Sequence, residues 1–205
     1  MEVLSVFPTP IGITNVKEDI SSLEEFIKNL PYNKIGDGSS QISLRLDVLE
    51  DFPKVRQLLL KKFNEYVVNI SPDYLDFQIT TSWGTRCLGK VGNYSSAHSH
   101  KNSMYSGVLY FSNCESSGYL NIYDPLDDHK TFYIGENRKP TAYSSSIFRI
   151  LPEKNDLLFF PSYIRHMISP YYGKENRYSL AFNIVPVGKF GGEDSTLTIK
   201  NIRGK

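Results

Sequence analysis

The sequence predicts a mainly β protein with flanking N-terminal helices, its strands folded into an antiparallel sandwich or barrel. Three observations predict it. Helical periodicity is confined to the part of the chain before residue 75. After that point short apolar runs follow one another, punctuated by Gly, Pro, Asn and Asp. Tyr and Phe are abundant, at 14 and 12 residues, and aromatic side chains favour strands.

Residues 2–16 read as an extended segment broken by Pro8 and Pro10. Ser21-Ser22-Leu23-Glu24-Glu25 reads as a helix start, with serine ahead of acidic residues in the first turn, and that helix should end near Leu30-Pro31. Residues 32–50, with Gly36, Gly38 and a serine pair, predict loop with a little strand. The clearest helix is 52–69, where Phe52, Val55, Leu59, Phe63 and Tyr66/Val67 recur at helical spacing. Pro53 suits its first turn, and Ser71-Pro72-Asp73 closes it. Strands are predicted at 76–88, 103–112, 118–124, 145–151, 156–162, 166–171 and 177–187, and 195–202 could add an edge strand. The division is helical support over 1–74, a β core over 75–187 and an extension over 188–205, within one domain.

Bulk properties exclude several classes. With 205 residues the chain can bury a core without cross-links. Its two cysteines, Cys87 and Cys114, make no disulfide framework and fit a reducing compartment. The N-terminal residues lack the basic-then-apolar pattern of a signal peptide, and no apolar run is long enough to span a membrane. A net charge of +1 does not point to nucleic acid. The expectation is a cytoplasmic protein.

Chemistry is sought first among the four histidines: His98, His100, His129 and His166. His98 and His100 stand two apart, so in extended chain their imidazoles point to one side and can reach one ion. His166 follows a strand and its turn, and could add a third ligand from across the barrel, leaving positions open on a metal. A surface pair and a buried core histidine are the bland alternatives. Arg177 and Ser179 share a strand face, and a guanidinium fork beside a hydroxyl suits a carboxylate. A small dicarboxylic acid could then bind metal at one end and Arg177 at the other. Asn102 and Ser103 could line the mouth of the site, and Asn93 and Tyr94 could contact substrate or cosubstrate. Trp83 reads as core, and His129 as solvated loop. Arg165 should point away from His166, and Arg86 and Arg149 lie on strands of unassigned facing.

From Trp83 to Pro186 the chain resembles the 2-oxoglutarate- and iron(II)-dependent oxygenases, prolyl-hydroxylase-like in texture. It is similar above all to a bacterial and phage group with the run H-x-H-x-N-S-x-x-S-G-V-x-Y, here His98 to Tyr110. The resemblance places metal ligands, also the catalytic centre, at His98, His100 and His166. It places cosubstrate contacts at Arg177, Ser179 and Tyr110. Gly118-Tyr119-Leu120 and Asp156–Ser162 match flanking strands. It implies a double-stranded β-helix, the jelly-roll or cupin-like core, and one oxygenase domain over 1–205.

The departure is His100, where most of the superfamily has a carboxylate. His100 is a true ligand, or stands behind the ligands, or marks a site for another metal, since imidazole also suits zinc, copper and nickel.

The implied activity is that of a dioxygenase using Fe(II) and 2-oxoglutarate. It would hydroxylate a substrate with dioxygen and release succinate and CO2. Long segments at 32–50 and 124–145, rich in Tyr, Ser, Asn and Asp, suggest a polar or peptide-like substrate. The N-terminal helices could mediate a homodimer. Two rivals stand beside this reading. One is a cupin-like metal-dependent dioxygenase without 2-oxoglutarate, in which Arg177 anchors the substrate. The other is a non-enzymatic metal-binding β-sandwich.

Overall fold

The computed structural model describes residues 1–2, 6–34, 38–71, 75–114, 117–126, 141 and 143–202. His129 and most of the segment 124–145 lie outside them. The chain runs β1 (Gly12–Asn15), α1 (Ser21–Asn29), β2 (Tyr32–Lys34), β3 (Gln41–Ser43), a 3-10 turn (Val48–Glu50), α2 (Pro53–Val67) and β4 (Asp76–Cys87). It continues with β5 (Tyr105–Tyr110), β6 (Leu120–Tyr123), β7 (Ile147–Ile150), β8 (Asp156–Pro161), β9 (His166–Ile168), β10 (Arg177–Phe190) and β11 (Leu197–Ile199). Among the described residues no helix is long and apolar enough to cross a membrane.

The strands form two antiparallel sheets. The larger has the order β1-β8-β5-β10-β4-β3-β2, with β11 pairing β10; the smaller is β7-β6-β9. This is the jelly-roll arrangement expected. The N-terminal part adds more than helices, because β1 extends the large sheet at one edge and β2 and β3 at the other.

Period-two alternation gives the large sheet two different faces. Leu109 of β5, Leu157 and Phe159 of β8, and Leu180, Phe182 and Ile184 of β10 lie on one face. They pack in one cluster with Leu23 and Ile27 of α1 and Leu59, Phe63 and Val67 of α2. The helices exist to cover this face. Pro53 opens α2 as expected, whereas α1 is not capped by serine: Asp19 Oδ1 accepts the Ser21 amide at 2.9 Å. The short aspartate, two residues earlier, reaches the orphan N–H that Ser21, already helical, cannot cap.

The other face, inside the roll, packs Val108, Tyr110, Leu158 and Phe160 against Leu120, Ile122 and Ile150 of the small sheet. Along β10 the same face carries Arg177, Ser179, Ala181 and Asn183. Their partners on β4 are Cys87, Thr85, Trp83 and Thr81.

Candidate metal centre

His98, His100 and His166 come together, with one ligand atom from each lying within 4.8 Å of the others. Backbone pairing brings them there. The His98 amide donates to the His166 carbonyl and the His166 amide to the His98 carbonyl, both at 2.9 Å. The His100 amide donates to Ser162 O at 2.9 Å. His166 opens β9 and shares the inward face with Ile122 opposite it on β6. The loop is pinned further by a chain of hydroxyls. Ser106 Oγ lies 2.8 Å from Ser162 Oγ, and Ser162 Oγ donates to Ser103 Oγ at 2.9 Å. Ser103 therefore serves the support of the site, donating to Tyr105 O at 2.7 Å.

Each imidazole has its Nδ1 engaged. His98 Nδ1 lies 2.8 Å from Ser96 O, His166 Nδ1 lies 2.9 Å from Ile164 O, and His100 Nδ1 lies 3.0 Å from Asn183 Oδ1. A carbonyl oxygen only accepts, so the proton sits on Nδ1 and the Nε2 lone pair is left for a cation. Such outer partners orient metal-binding histidines. Burial also keeps the rings of His100 and His166 neutral. His166 is pushed down to about 3, first by desolvation and then by His98. His100 is pushed down to about 4 by the same two causes, Asn183 opposing them. His98 is exposed, His100 intermediate and His166 buried, so the cluster runs from solvent into the roll.

Trp83, expected in the core, is half-buried and stacks on His100, with ring centroids 5.5 Å apart and planes 22° apart. Its alternation with Thr85 and Cys87, opposite Ser179 and Arg177, is the signal that places it on this face. Asn183, absent from the sequence-based candidates, joins the site through His100. The signal for it was its parity with Arg177 and Ser179 on one strand.

Arg177 is 1% exposed, the largest of the fully buried side chains. Its Nε donates to Cys114 Sγ at 2.9 Å and Nη1 lies 3.9 Å from Cys87 Sγ. Its guanidinium carbon sits 4.9 Å from the centre of the Tyr110 ring. Nη2 is buried without a hydrogen-bond partner, and among the described residues no carboxylate pairs with this cation. Burial pushes the Cys87 thiol up, Arg177 drawing it back only in part, so that thiol gives the guanidinium no negative charge at neutral pH. A buried cation with an idle donor is costly unless an anion meets it. Ser179 is buried beside it in β10, its hydroxyl 2.5 Å from Thr85 Oγ1, and Tyr110 stands opposite Ser179 on β5. Burial lifts the Tyr110 phenol to about 12, against the pull of Arg177, so it stays a neutral hydroxyl. Arg177, Ser179 and Tyr110 thus form a second cluster on the same inner face as Asn183 and Trp83.

The remaining candidates lie outside these clusters. Asn93 is buried and spends its Oδ1 on the Leu88 amide at 2.8 Å. Tyr94 is exposed. Asn102 is exposed with φ 55°, a left-handed turn position that asparagine tolerates. Arg165 is exposed and lies over Tyr123, away from His166 as expected. Arg86 lies over the Tyr32 ring and donates to Gln41. Arg149 is exposed on β7.

Comparison with known proteins adds the following. A family model described as "Putative 2OG-Fe(II) oxygenase" matches residues 81–183, half of the chain. No curated protein matches the sequence. Among solved structures, HygX from Streptomyces hygroscopicus with nickel, 2-oxoglutarate and hygromycin B bound aligns with a TM-score of 0.60 at 12% identity. That alignment covers 87% of this chain and 83% of HygX. A Pseudomonas putida prolyl-4-hydroxylase aligns at 0.54 and 13% identity over 85% and 92% of the two chains. The α-ketoglutarate-dependent epimerase SnoN from nogalamycin biosynthesis aligns at 0.61 and 10% identity over 89% and 79%. At these identities the likeness is one of fold.

Proposed function

Because the chain belongs to the 2OG-Fe(II) oxygenase family, we propose that it is a dioxygenase dependent on Fe(II) and 2-oxoglutarate, with the metal on His98, His100 and His166 and the cosubstrate on Arg177, Ser179 and Tyr110. One observation carries the reading above all. A buried arginine with an idle Nη2 shares an inner sheet face with the residue that orients one histidine of a three-histidine cluster. A cation site and an anion site on one face suit a ligand that chelates at one end and carries a carboxylate at the other.

The residues fit the groups they would hold. Three imidazoles whose Nδ1 atoms are engaged and whose Nε2 atoms are free suit a divalent transition metal and leave positions open on it. The fold-level neighbours include one with nickel and 2-oxoglutarate bound, in keeping with this pair of cofactors. When bound, the iron and the keto acid supply the oxidising power, drawn from dioxygen, to attack an unactivated C–H bond. The chain supplies binding and exclusion. Arg177 offers its idle Nη2 to the far carboxylate, Ser179 and Tyr110 supply hydroxyls beside it, and Val108, Leu158 and Phe160 make the neighbouring inner face apolar. The exposed side of His98 is the side from which dioxygen and substrate enter.

We assign the outcome as hydroxylation of a polar or peptide-like substrate, with Tyr94 and Asn102 on the exposed loop around His98 and His100 contacting it. The solved neighbours include a hydroxylase and an epimerase, so the reaction itself is what needs measuring. Two free, buried cysteines are in keeping with the reducing cytoplasm.

The test is an anaerobic titration with iron(II) and then 2-oxoglutarate, followed by visible absorption. A weak charge-transfer band that needs both additions and vanishes in Arg177→Ala supports the assignment. Iron-loaded protein with no band promotes a metal-dependent dioxygenase that does not use 2-oxoglutarate. Protein that takes no iron is left as a binding module.

A further inference from the structure

We infer that Asn183 is a positioning residue for the metal ligand His100, dictating which ring nitrogen that imidazole can offer to the ion; the inference rests on the metal reading above. His98 and His166 are oriented by main-chain carbonyls, which cannot donate. His100 alone is oriented by a side chain. An amide has two ends of opposite character. With Oδ1 toward His100, as here, the ring carries its proton on Nδ1 and its lone pair on Nε2. Turned over, the amide would donate to Nδ1, the proton would move to Nε2, and the ring could not bind metal from that side.

Three features fix the amide's place beside the ring. Asn183 Nδ2 donates to Thr81 Oγ1 at 3.0 Å. Thr81 is its direct partner across β4 and β10, on the same face. The register of that pair shifts between Asn183 and Ile184, so the amide and the threonine meet at a fixed irregularity in an otherwise regular ladder. Trp83 then covers the face of the His100 ring. The ring is thereby fixed in rotation by Asn183 and in tilt by the indole.

The experiment measures Co(II) and Ni(II) affinity of the full chain by Trp83 fluorescence, with the Co(II) visible spectrum as a probe of ligand geometry. Asn183→Ala should weaken binding roughly 10–100-fold, the loss found when an outer partner of a metal-bound histidine is removed, and alter the Co(II) spectrum. Asn183→Asp, an obligatory acceptor, should restore both. Thr81→Val should weaken binding by less than Asn183→Ala. In a His100→Ala background, read by the Co(II) spectrum, Asn183→Ala should add nothing. Wild-type affinity and spectrum in Asn183→Ala, or an equal further loss in the His100→Ala background, would overturn the inference. If Asn183→Ala does not fold, Asn183→Asp decides, and weakened binding there overturns it. A wild-type chain that binds neither ion overturns the metal reading itself, and this inference with it.

Discussion

His98 and His166 exchange a reciprocal pair of main-chain hydrogen bonds, each 2.9 Å long. Two of the three imidazoles are therefore placed by backbone atoms that side-chain substitution leaves intact. His98→Ala and His166→Gln should keep the wild-type melting temperature to within a few degrees. Each should lose metal affinity by more than the roughly 10–100-fold that removing an outer partner costs. Isothermal titration with Ni(II) checks this. Wild-type affinity in either variant would remove that histidine from the ligand set.

The neutral state of the buried rings makes the metal-free protein acid-sensitive. His166 and His100 are held down at about 3 and about 4, mainly by burial, while in the unfolded chain a histidine takes its proton near 6.5, at roughly 1.4 kcal/mol per pH unit of difference. The folded pKa lies below the unfolded one. Above about 6.5 neither state binds the proton, and stability is unaffected by it. As pH falls from there toward the folded values, only the unfolded chain gains protons, and stability drops. Urea midpoints of the apo-protein should fall across that window, less steeply in His166→Gln. Equal slopes would exonerate His166.

Arg177 sets function against stability. Arg177→Met removes a buried cation with an idle donor, so the unliganded variant should be as stable as wild type or more so. Its affinity for 2-oxoglutarate, measured on nickel-loaded protein, should fall on the order of 10- to 100-fold, the worth of hydrogen bonds to a charged group. In wild type a ligand at a hundred times its Kd adds about 2.7 kcal/mol, and the variant should lose that increment. A less stable unliganded Arg177→Met would mean that the guanidinium chiefly ties Cys114 to Tyr110.

Trp83 is the sole tryptophan of the chain and lies on the His100 ring. Its emission should be quenched stoichiometrically by Ni(II), Co(II) or Cu(II), and His100→Ala should lose the quenching. Unchanged emission in protein shown by dialysis to hold metal would place the ion away from His100.

Gly107 lies at the centre of the large sheet, opposite Phe182 and Phe159. A methyl group there would fall inside the Phe182 ring, on the helix-covered face and away from the histidines. Gly107→Ala should lower stability by about 1–3 kcal/mol, as overpacking does, while nickel affinity stays unchanged. An equal urea midpoint would show that this face is loosely packed.

Much of the site was legible because strands carry a strict period of two. The spacing of His98 and His100, and of Arg177 and Ser179, reports a shared face before any pairing is known. Trp83 reads as core because an aromatic residue in a strand usually is, and its parity with Thr85 and Cys87 matters only once β4 is known to pair with β10. Asn183 shares the parity of Arg177 and Ser179, but that parity alone does not report a role, since its partner Thr81 lies far away in sequence and the register shift beside it arises only in the assembled sheet. The edge strands were faint for the same reason: Gly12 pairs with Phe159, a relation that no local pattern encodes.

Strand β10 pairs with both β4 and β5 and carries Arg177, Ser179 and Asn183. During translation, then, β4 and β5 emerge as strands whose central partner has not yet been made. His100 cannot be oriented by Asn183, and no anion can be gripped by Arg177, until that last core strand inserts between β4 and β5. Completion of both clusters is thereby coupled to closure of the finished sheet.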